Sequence, residues 1–362
     1  MNTCIIDKYL SQKILMTGVY YKNNHPGGIS AVVQYWAEYI ENLQYYPEFK
    51  EGSNVGKIWI FVTTLFSLFF RLLCDRSIKI VHIHTADYTD FRRNSFIISL
   101  AKLFRKKIVL HSHGATFVEF YSNSGQKKKF WILRILDKAD VVIVLSESWK
   151  QWFMSIGVSE GKLVILHNIT AYPQVMQVEK SEKKIRLLFL GEIGERKGVF
   201  DLLRALSLHK EELKDIVELH IGGNKMEEEL KTAIWEGGLE KNVFFDGFVA
   251  GETKIKLLNW ANVFILPSFN EGLPISILEA MSYRLPIIST PVGGIPEVVD
   301  ETNGILITPG DEEQIYQAIK KYVDHIELLD EHGTNSYKKA ETYLPDYVLC
   351  HLKSIYEGLL ID

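Results

Sequence analysis

Glu271 and Glu279 stand eight residues apart in FNEGLPISILEAM (269–281), with Gly-Leu-Pro between them. Pro274 reads as a first-turn proline, so Glu271 sits at the positive end of a helix. There a carboxylate contributes a few tenths to about 1 kcal/mol with no further role. Glu279 falls inside the same helix, about 8 Å beyond its start at Pro274 at 1.5 Å per residue, and by itself reads equally well as a solvated residue. The pair also suits a ligand. A diphosphate at the helix start would leave one acid to accept from sugar hydroxyls on one side and the other from a ribose diol on the other.

Two further loops carry anion chemistry. In FLGEIGERKGVFDLL (189–203) a strand gives way to glycines and then a helix, with Arg196 and Lys197 where helix amides begin. Amides, dipole and cation together make a phosphate site. STPVGGIPEVV (289–299) repeats the pattern, with Gly293 and Gly294 allowing close backbone approach and Pro296 opening a helix. Gly27 and Gly28 in NNHPGGIS (23–30) follow the first strand, and a plain strand-to-helix turn accounts for them as well. In KIVLHSHGATF the strand ends at His113-Gly114. His82 and His84 in VHIHTAD alternate on their strand and are expected to face opposite sides, so no metal pair is read from them.

These loops need elements to hold them. Short β-branched runs at 13–19, 78–85, 106–114, 140–146 and 163–168, and again at 185–191, 217–223, 242–248, 261–268, 285–291 and 304–309, alternate with helical segments such as 30–43 and 94–104. Continuous apolar strands between helices predict parallel sheets covered on both faces, and two doubly wound domains whose ligands collect at the strands' carboxyl ends. A length of 362 residues suits two such domains. The polar stretch 168–184 marks the linker, giving domains 1–172 and 173–362, with a terminal helix at about 345–362 that packs back on the first.

Composition is that of a globular chain: 47% hydrophobic and 24% charged. Cys4, Cys74 and Cys350 are too far apart for a metal or disulfide framework. The first residues lack the apolar core of a signal peptide, which predicts a cytoplasmic protein. Charge divides unevenly. Residues 1–180 hold 22 Lys and Arg against 14 Asp and Glu, net +8, leaving −12 for the remainder of a chain whose total is −4. FRKK (104–107), QKKKFW (126–131) and DFRR (90–93) form basic clusters that suit an anionic surface. No nucleic-acid-binding motif accompanies them, so a nucleic-acid partner is not expected. IWIFVTTLFSLFFRLL (58–73) is apolar for 16 residues, short of the roughly 20 needed to span a bilayer. It reads as a buried helix or as one whose outer face rests on lipid.

GERKG, LPSFNEGLPISILEAMSYRLPIISTPVGGIPEVV and NGILITPGD closely resemble the retaining glycosyltransferases of family 4, over roughly 185–315; HPGGISAVV and LHSHGATF extend the likeness more thinly. The resemblance implies the GT-B fold: α/β, two facing Rossmann-like domains with parallel sheets and an interdomain cleft, the first for acceptor and the second for nucleotide sugar. It implies that Glu271 contacts donor sugar hydroxyls and Glu279 the ribose. It sets the backbone at Gly272, Leu273, Pro274 and Ile275 against sugar and diphosphate, makes Lys197 the phosphate clamp, and places His113 in the cleft near the reacting centre. Gly27 and Gly28 would approach the diphosphate from the opposite domain.

One position departs from the family pattern. Many members have Arg directly after the glycine ending the 185–191 strand, where this chain has Glu192. That role passes here to Arg196. The implied function is metal-independent retaining transfer of a hexosyl residue from a nucleotide-diphosphate sugar to a glycan or lipid-linked acceptor of cell-surface polysaccharide synthesis. UDP-sugar is favoured as donor and GDP-mannose stands next. No cofactor is expected, and the location is cytoplasmic and peripheral on the inner face of the membrane. A sugar-nucleotide epimerase or an inactive nucleotide-sugar-binding scaffold would share the architecture.

Overall fold

A computed structural model describes residues 5–23, 27–176 and 184–361. Cys4, residues 24–26 of NNHPGGIS and residues 177–183 of the expected linker lie outside them. The chain forms two compact units, Met1–Ile169 with Pro345–Asp362, and Thr170–Leu344. The first boundary thus falls at 169/170 against the expected 172/173. The closing helix Pro345–Ile361 belongs to the first unit, where its Val348, Leu349, Leu352 and Tyr356 are buried.

The first unit holds a six-stranded sheet: β1 Ile14–Val19, β2 Tyr45–Phe49, β3 Ile80–Thr85, β4 Lys107–Ser112, β5 Val141–Val144 and β6 Leu163–Ile165. Their order is β2-β1-β3-β4-β5-β6, and every pairing is parallel. β3 is buried along its whole length and β4 at all but its first residue, as a parallel sheet covered on both faces requires. β2 (YYPEF) was not foreseen as a strand. Its Pro47 is tolerated because β2 is an edge, where a missing N–H need not break a ladder. Behind it Glu48 is fully buried and accepts from Arg93 Nε at 2.7 Å, and Asp90 takes another guanidinium nitrogen at 2.8 Å. Arg93 of the DFRR cluster is therefore spent inside the unit rather than offered to its surface.

The apolar run is longer than its residues suggested. Helix Asn54–Cys74 has 21 residues because Ser53 caps it, accepting from Gly56 N. By length and composition it could cross a membrane. Only Thr64, Leu68 and Leu72, one stripe at four-residue spacing, are buried. Thr64 Oγ1 donates to Pro47 O at 2.7 Å and Arg71 Nη2 to Gln44 Oε1 at 2.8 Å, fixing the helix beside β2. Val55, Ile58, Trp59, Phe66, Phe70 and Leu73 are exposed, as are Phe96 and Leu103 on helix Tyr88–Leu103.

The second unit holds β7 Ile185–Leu190, β8 Val217–Gly222, β9 Val243–Phe245, β10 Val263–Leu266, β11 Ile287–Ser289 and β12 Gly304–Leu306. All are parallel, in the order β12-β11-β10-β7-β8-β9. The chain leaves β7 toward one edge and, from β10, builds toward the other. The crevice at the carboxyl ends of β7 and β10 is therefore the topological switch point where such sheets bind ligands.

Candidate active site

The three sequence loops singled out above are the loops after β7, β10 and β11, which are neighbours in the sheet. Two glycines make their meeting possible. Gly198 has φ +70°, and a Cβ there would lie 2.1 Å from Pro267 O; Gly293 has φ +56°, and its Cβ would lie 2.0 Å from Glu271 O. Both positions exclude an ordinary side chain on conformation and on space. Gly294 N donates to Gly272 O at 2.7 Å, and Phe269 N to Arg196 O at 2.9 Å. The loop after β10 is thus clamped by its neighbours on both sides. Ser289 Oγ to Leu266 O and Thr290 Oγ1 to Ser268 O tie the strand ends themselves.

Inside this clamp Glu271 is 5% exposed. Its Oε1 accepts from Lys197 Nζ at 2.5 Å and Ser268 Oγ at 2.7 Å, while Arg196 Nη1 stands 3.8 Å from Oε2 and donates to Asn270 O at 3.0 Å. A carboxylate buried this far requires such partners. Arg196 and Lys197 occupy a single 3₁₀ turn, Glu195–Lys197, and helix Val199–Leu208 begins only after Gly198. They therefore precede the helix amides by a turn instead of marking their start. Pro296 likewise opens only the 3₁₀ turn Ile295–Glu297. Glu192 lies away from this group, its carboxylate 2.7 Å from Lys225 Nζ.

Helix Ile275–Ser282 starts one residue after Pro274, which is its extended N-cap (φ −66°, ψ 124°) rather than its first turn. Gly272, Leu273 and Pro274 are buried and Ile275 partly so. The amides of a first turn have no partners within their helix, and here that turn begins at Ile275, with Gly272, Leu273 and Pro274 between it and Glu271. Glu279, also 5% exposed, lies on the buried face. Its Oε1 accepts from Lys254 Nζ at 2.5 Å. Lys254 lies on helix Gly251–Trp260 and was not foreseen. No glycine loop flags it, and in GETKIKLL it reads as one more solvated helical lysine. The usable signal was the buried acid's need for a counter-ion.

The remaining candidates belong to the first unit. Gly27 and Gly28 open helix Gly28–Tyr39 after β1, and both are exposed. His113 follows β4, partly buried, with its N–H bonded to Thr85 O at 2.7 Å. Its Nε2 pairs with His84 Nδ1 at 3.0 Å. His82 and His84 face the same way, contrary to the expectation above, because residues two apart on a strand share a face. Their rings stack at 4.7 Å, and His111 lies in register opposite His84.

Trp36 covers all three of these rings at 5.1–5.6 Å, and His82 Nδ1 pairs with the Tyr356 hydroxyl at 2.6 Å. Burial lowers every imidazole here, to about 3 for His82 and His113 and well below the ordinary value for His84 and His111. The cluster is therefore neutral near pH 7. The nitrogens of His82, His84 and His111 approach within 4.8 Å of one another, but this group includes no carboxylate or thiolate to offset a buried metal charge.

Two doubly wound parallel units, the second with paired buried acids and a lysine at its switch point, define a GT-B type glycosyltransferase. The family models agree: "Glycosyltransferase Family 4" matches residues 27–170 and "Glycosyl transferases group 1" residues 173–339. The chain belongs to the family 4 glycosyltransferases. An uncharacterized glycosyltransferase of Methanocaldococcus jannaschii is 26% identical over 308 residues, 80% of this chain and 77% of that protein. The amylovoran biosynthesis glycosyltransferase AmsK of Erwinia amylovora is 26% identical over 60% of this chain and 55% of its own length. Among solved structures, Anabaena HepE in complex with UDP superposes with TM-score 0.73 at 17% identity, covering 97% of this chain and 100% of that one. Sucrose-phosphate synthase from Thermosynechococcus elongatus gives 0.79 at 16% identity, covering 96% and 99%.

Proposed function

We propose that the protein transfers a hexosyl residue, with retention, from a nucleotide-diphosphate sugar to a glycan or lipid-linked acceptor in cell-surface polysaccharide synthesis. The observation that carries this is the pair of buried Glu271 and Lys197 at the switch point, Glu271 on the loop that leads into helix Ile275–Ser282. Two kinds of relative support the finer reading. HepE has been crystallised with UDP and with UDP-glucose, which favours a UDP-sugar donor over GDP-mannose. Relatives of similar sequence include the amylovoran enzyme and a putative colanic acid biosynthesis glycosyltransferase of Escherichia coli, which favours a polysaccharide product.

In this reading Glu271 accepts from the donor sugar's hydroxyls and Glu279 from the ribose. The backbone of Gly272, Leu273, Pro274 and Ile275 lines the sugar and diphosphate. Breaking the bond from anomeric carbon to phosphate moves negative charge onto the departing nucleoside diphosphate. Lys197, Arg196 and the first amides of helix Ile275–Ser282 stabilise that charge as it grows. With Glu192 committed to Lys225, Arg196 supplies the second cation. The acceptor hydroxyl attacks from the face the phosphate leaves and passes its proton to a phosphate oxygen, so the reaction calls on no metal or cofactor. On the first unit, neutral His113 and the turn at Gly27 and Gly28 are the candidates for substrate contact. Helix Asn54–Cys74, the exposed Lys127 and Lys128 and the half-buried Lys129 rest on the anionic inner face of the cytoplasmic membrane, bringing a lipid-linked acceptor within reach.

A thermal-shift screen over UDP- and GDP-hexoses tests the donor. Stabilisation by one UDP-sugar, lost in Glu279→Ala, is expected. Indifference to every nucleotide sugar would remove the reading.

A further inference from the structure

We infer that Lys254 is a positioning residue for nucleoside recognition, holding Glu279 in the pose that accepts a ribose diol and so setting the preference for ribo- over 2′-deoxynucleotides. The inference rests on the nucleotide-sugar reading above.

The two acids are built alike. Each is 5% exposed, and each has one oxygen, Oε1, held by a lysine at 2.5 Å. The lysines come from unrelated elements, a 3₁₀ turn after β7 for Lys197 and helix Gly251–Trp260 for Lys254. Lys197 stands at the switch point with Arg196, where an arriving diphosphate gives both a second anion to attend. Lys254 is 25 residues ahead of Glu279 and three-quarters covered. It is fixed on a helix that is itself tied down, with Asn259 Oδ1 accepting from Met176 N at 2.8 Å and Asn259 Nδ2 donating to Gln174 O at 2.9 Å. Tyr283, one turn beyond Glu279, completes the surroundings. Burial raises its phenol first and the Glu279 charge next, while the Gln174 N–H and Lys254 oppose them, so it lies within the field of both partners. Its hydroxyl accepts from Gln174 N at 3.0 Å.

The geometry has a chemical consequence. A carboxylate offers about four accepting directions. Lys254 takes one of them at Oε1 and so fixes the rotamer in which the acid meets a pair of vicinal hydroxyls. Without the ammonium, Glu279 keeps its burial but loses its orientation. Recognition of the 2′-hydroxyl then fails while recognition of the diphosphate, at the other end of the helix, persists.

The test is calorimetric titration of wild type, Lys254→Met, Lys254→Gln and Lys254→Arg with UDP, GDP, their 2′-deoxy counterparts and inorganic pyrophosphate. For the better-bound base, wild type is expected to prefer the ribonucleotide about tenfold or more, the worth of one hydrogen bond to a charged group. Lys254→Met and Lys254→Gln are expected to bring that preference below about threefold with pyrophosphate affinity unchanged, and Lys254→Arg to restore part of it. An unchanged ribose preference in both neutral variants would overturn the inference. So would a parallel loss for all ligands, which would make Lys254 a general attractor of anions. Failure of wild type to bind any nucleoside diphosphate would instead remove the nucleotide-sugar reading, and this inference with it. Unchanged far-ultraviolet circular dichroism identifies which of the variants are folded.

Discussion

Glu271 and Lys197 share one short contact, so neither acts alone. Removing a charged hydrogen-bond partner costs about 1.5–3 kcal/mol, or roughly 10- to 150-fold. Lys197→Ala is expected to slow transfer by that amount, whereas Lys210→Ala on the same unit leaves it unchanged. Glu271→Ala should chiefly reduce kcat and sugar discrimination, and Glu279→Ala should raise KM for every sugar carried on the same nucleotide. Steady-state kinetics with two donor sugars separates these cases. Because the pair is in contact, the double variant Glu271→Ala with Lys197→Ala should lose less than the sum of the single losses. Additive losses would mean that the two residues act independently.

Elements place these residues, and three of them make separate predictions. Gly293→Ala forces a Cβ against the Glu271 carbonyl in a left-handed conformation. It should lower stability by about 1–3 kcal/mol and reduce turnover more than Gly125→Ala, whose Cβ would meet open space. Denaturant melts and activity assays on both variants check this. Edge strand β2 buries Glu48, whose carboxyl is pushed up to about 8 by burial first and by Asp90 next, against the pull of Arg93. An acid raised above its unfolded value stabilises fully below about pH 4.5, and that contribution is lost as pH rises toward 8. Glu48→Gln should therefore flatten the fall in Tm between pH 5 and 8. An identical pH profile would show that Glu48 does not carry it. Helix Asn54–Cys74 should bind anionic liposomes in a salt-sensitive way, weakened by charge reversal at Lys127, Lys128 and Lys129 and by Phe66→Ser with Phe70→Ser. Co-sedimentation that ignored lipid charge, salt and these changes would leave the face without a lipid role.

At the scale of the whole molecule, the strand rhythm was readable because strands buried on both faces must be continuously apolar. β2 escaped since its Pro47, Tyr45 and Tyr46 break that rule at an edge. The glycine loops could be read from composition because only glycine fits Gly198 and Gly293. Lys254 could not, since the buried acid it serves is 25 residues away in sequence and comes close only once the helices before and after β10 are folded onto the sheet. Helix Asn54–Cys74 was legible as apolar but not as exposed, because hydropathy does not say which face the sheet takes. His82 and His84, two apart on β3, share a face, and the register of β3 with β4 sets His111 opposite His84.

The central claim is retaining hexosyl transfer from a nucleotide sugar. Its most direct test is proton NMR of wild-type protein incubated with the UDP-hexose that stabilises it and a lipid-linked glycan acceptor, following the anomeric signal and nucleotide release together. Acceptor-dependent release of UDP with a product of the donor's own anomeric configuration is predicted, and Glu271→Ala should abolish it. Isomerisation of the donor without acceptor, a product of inverted configuration, or an unchanged donor would contradict the account.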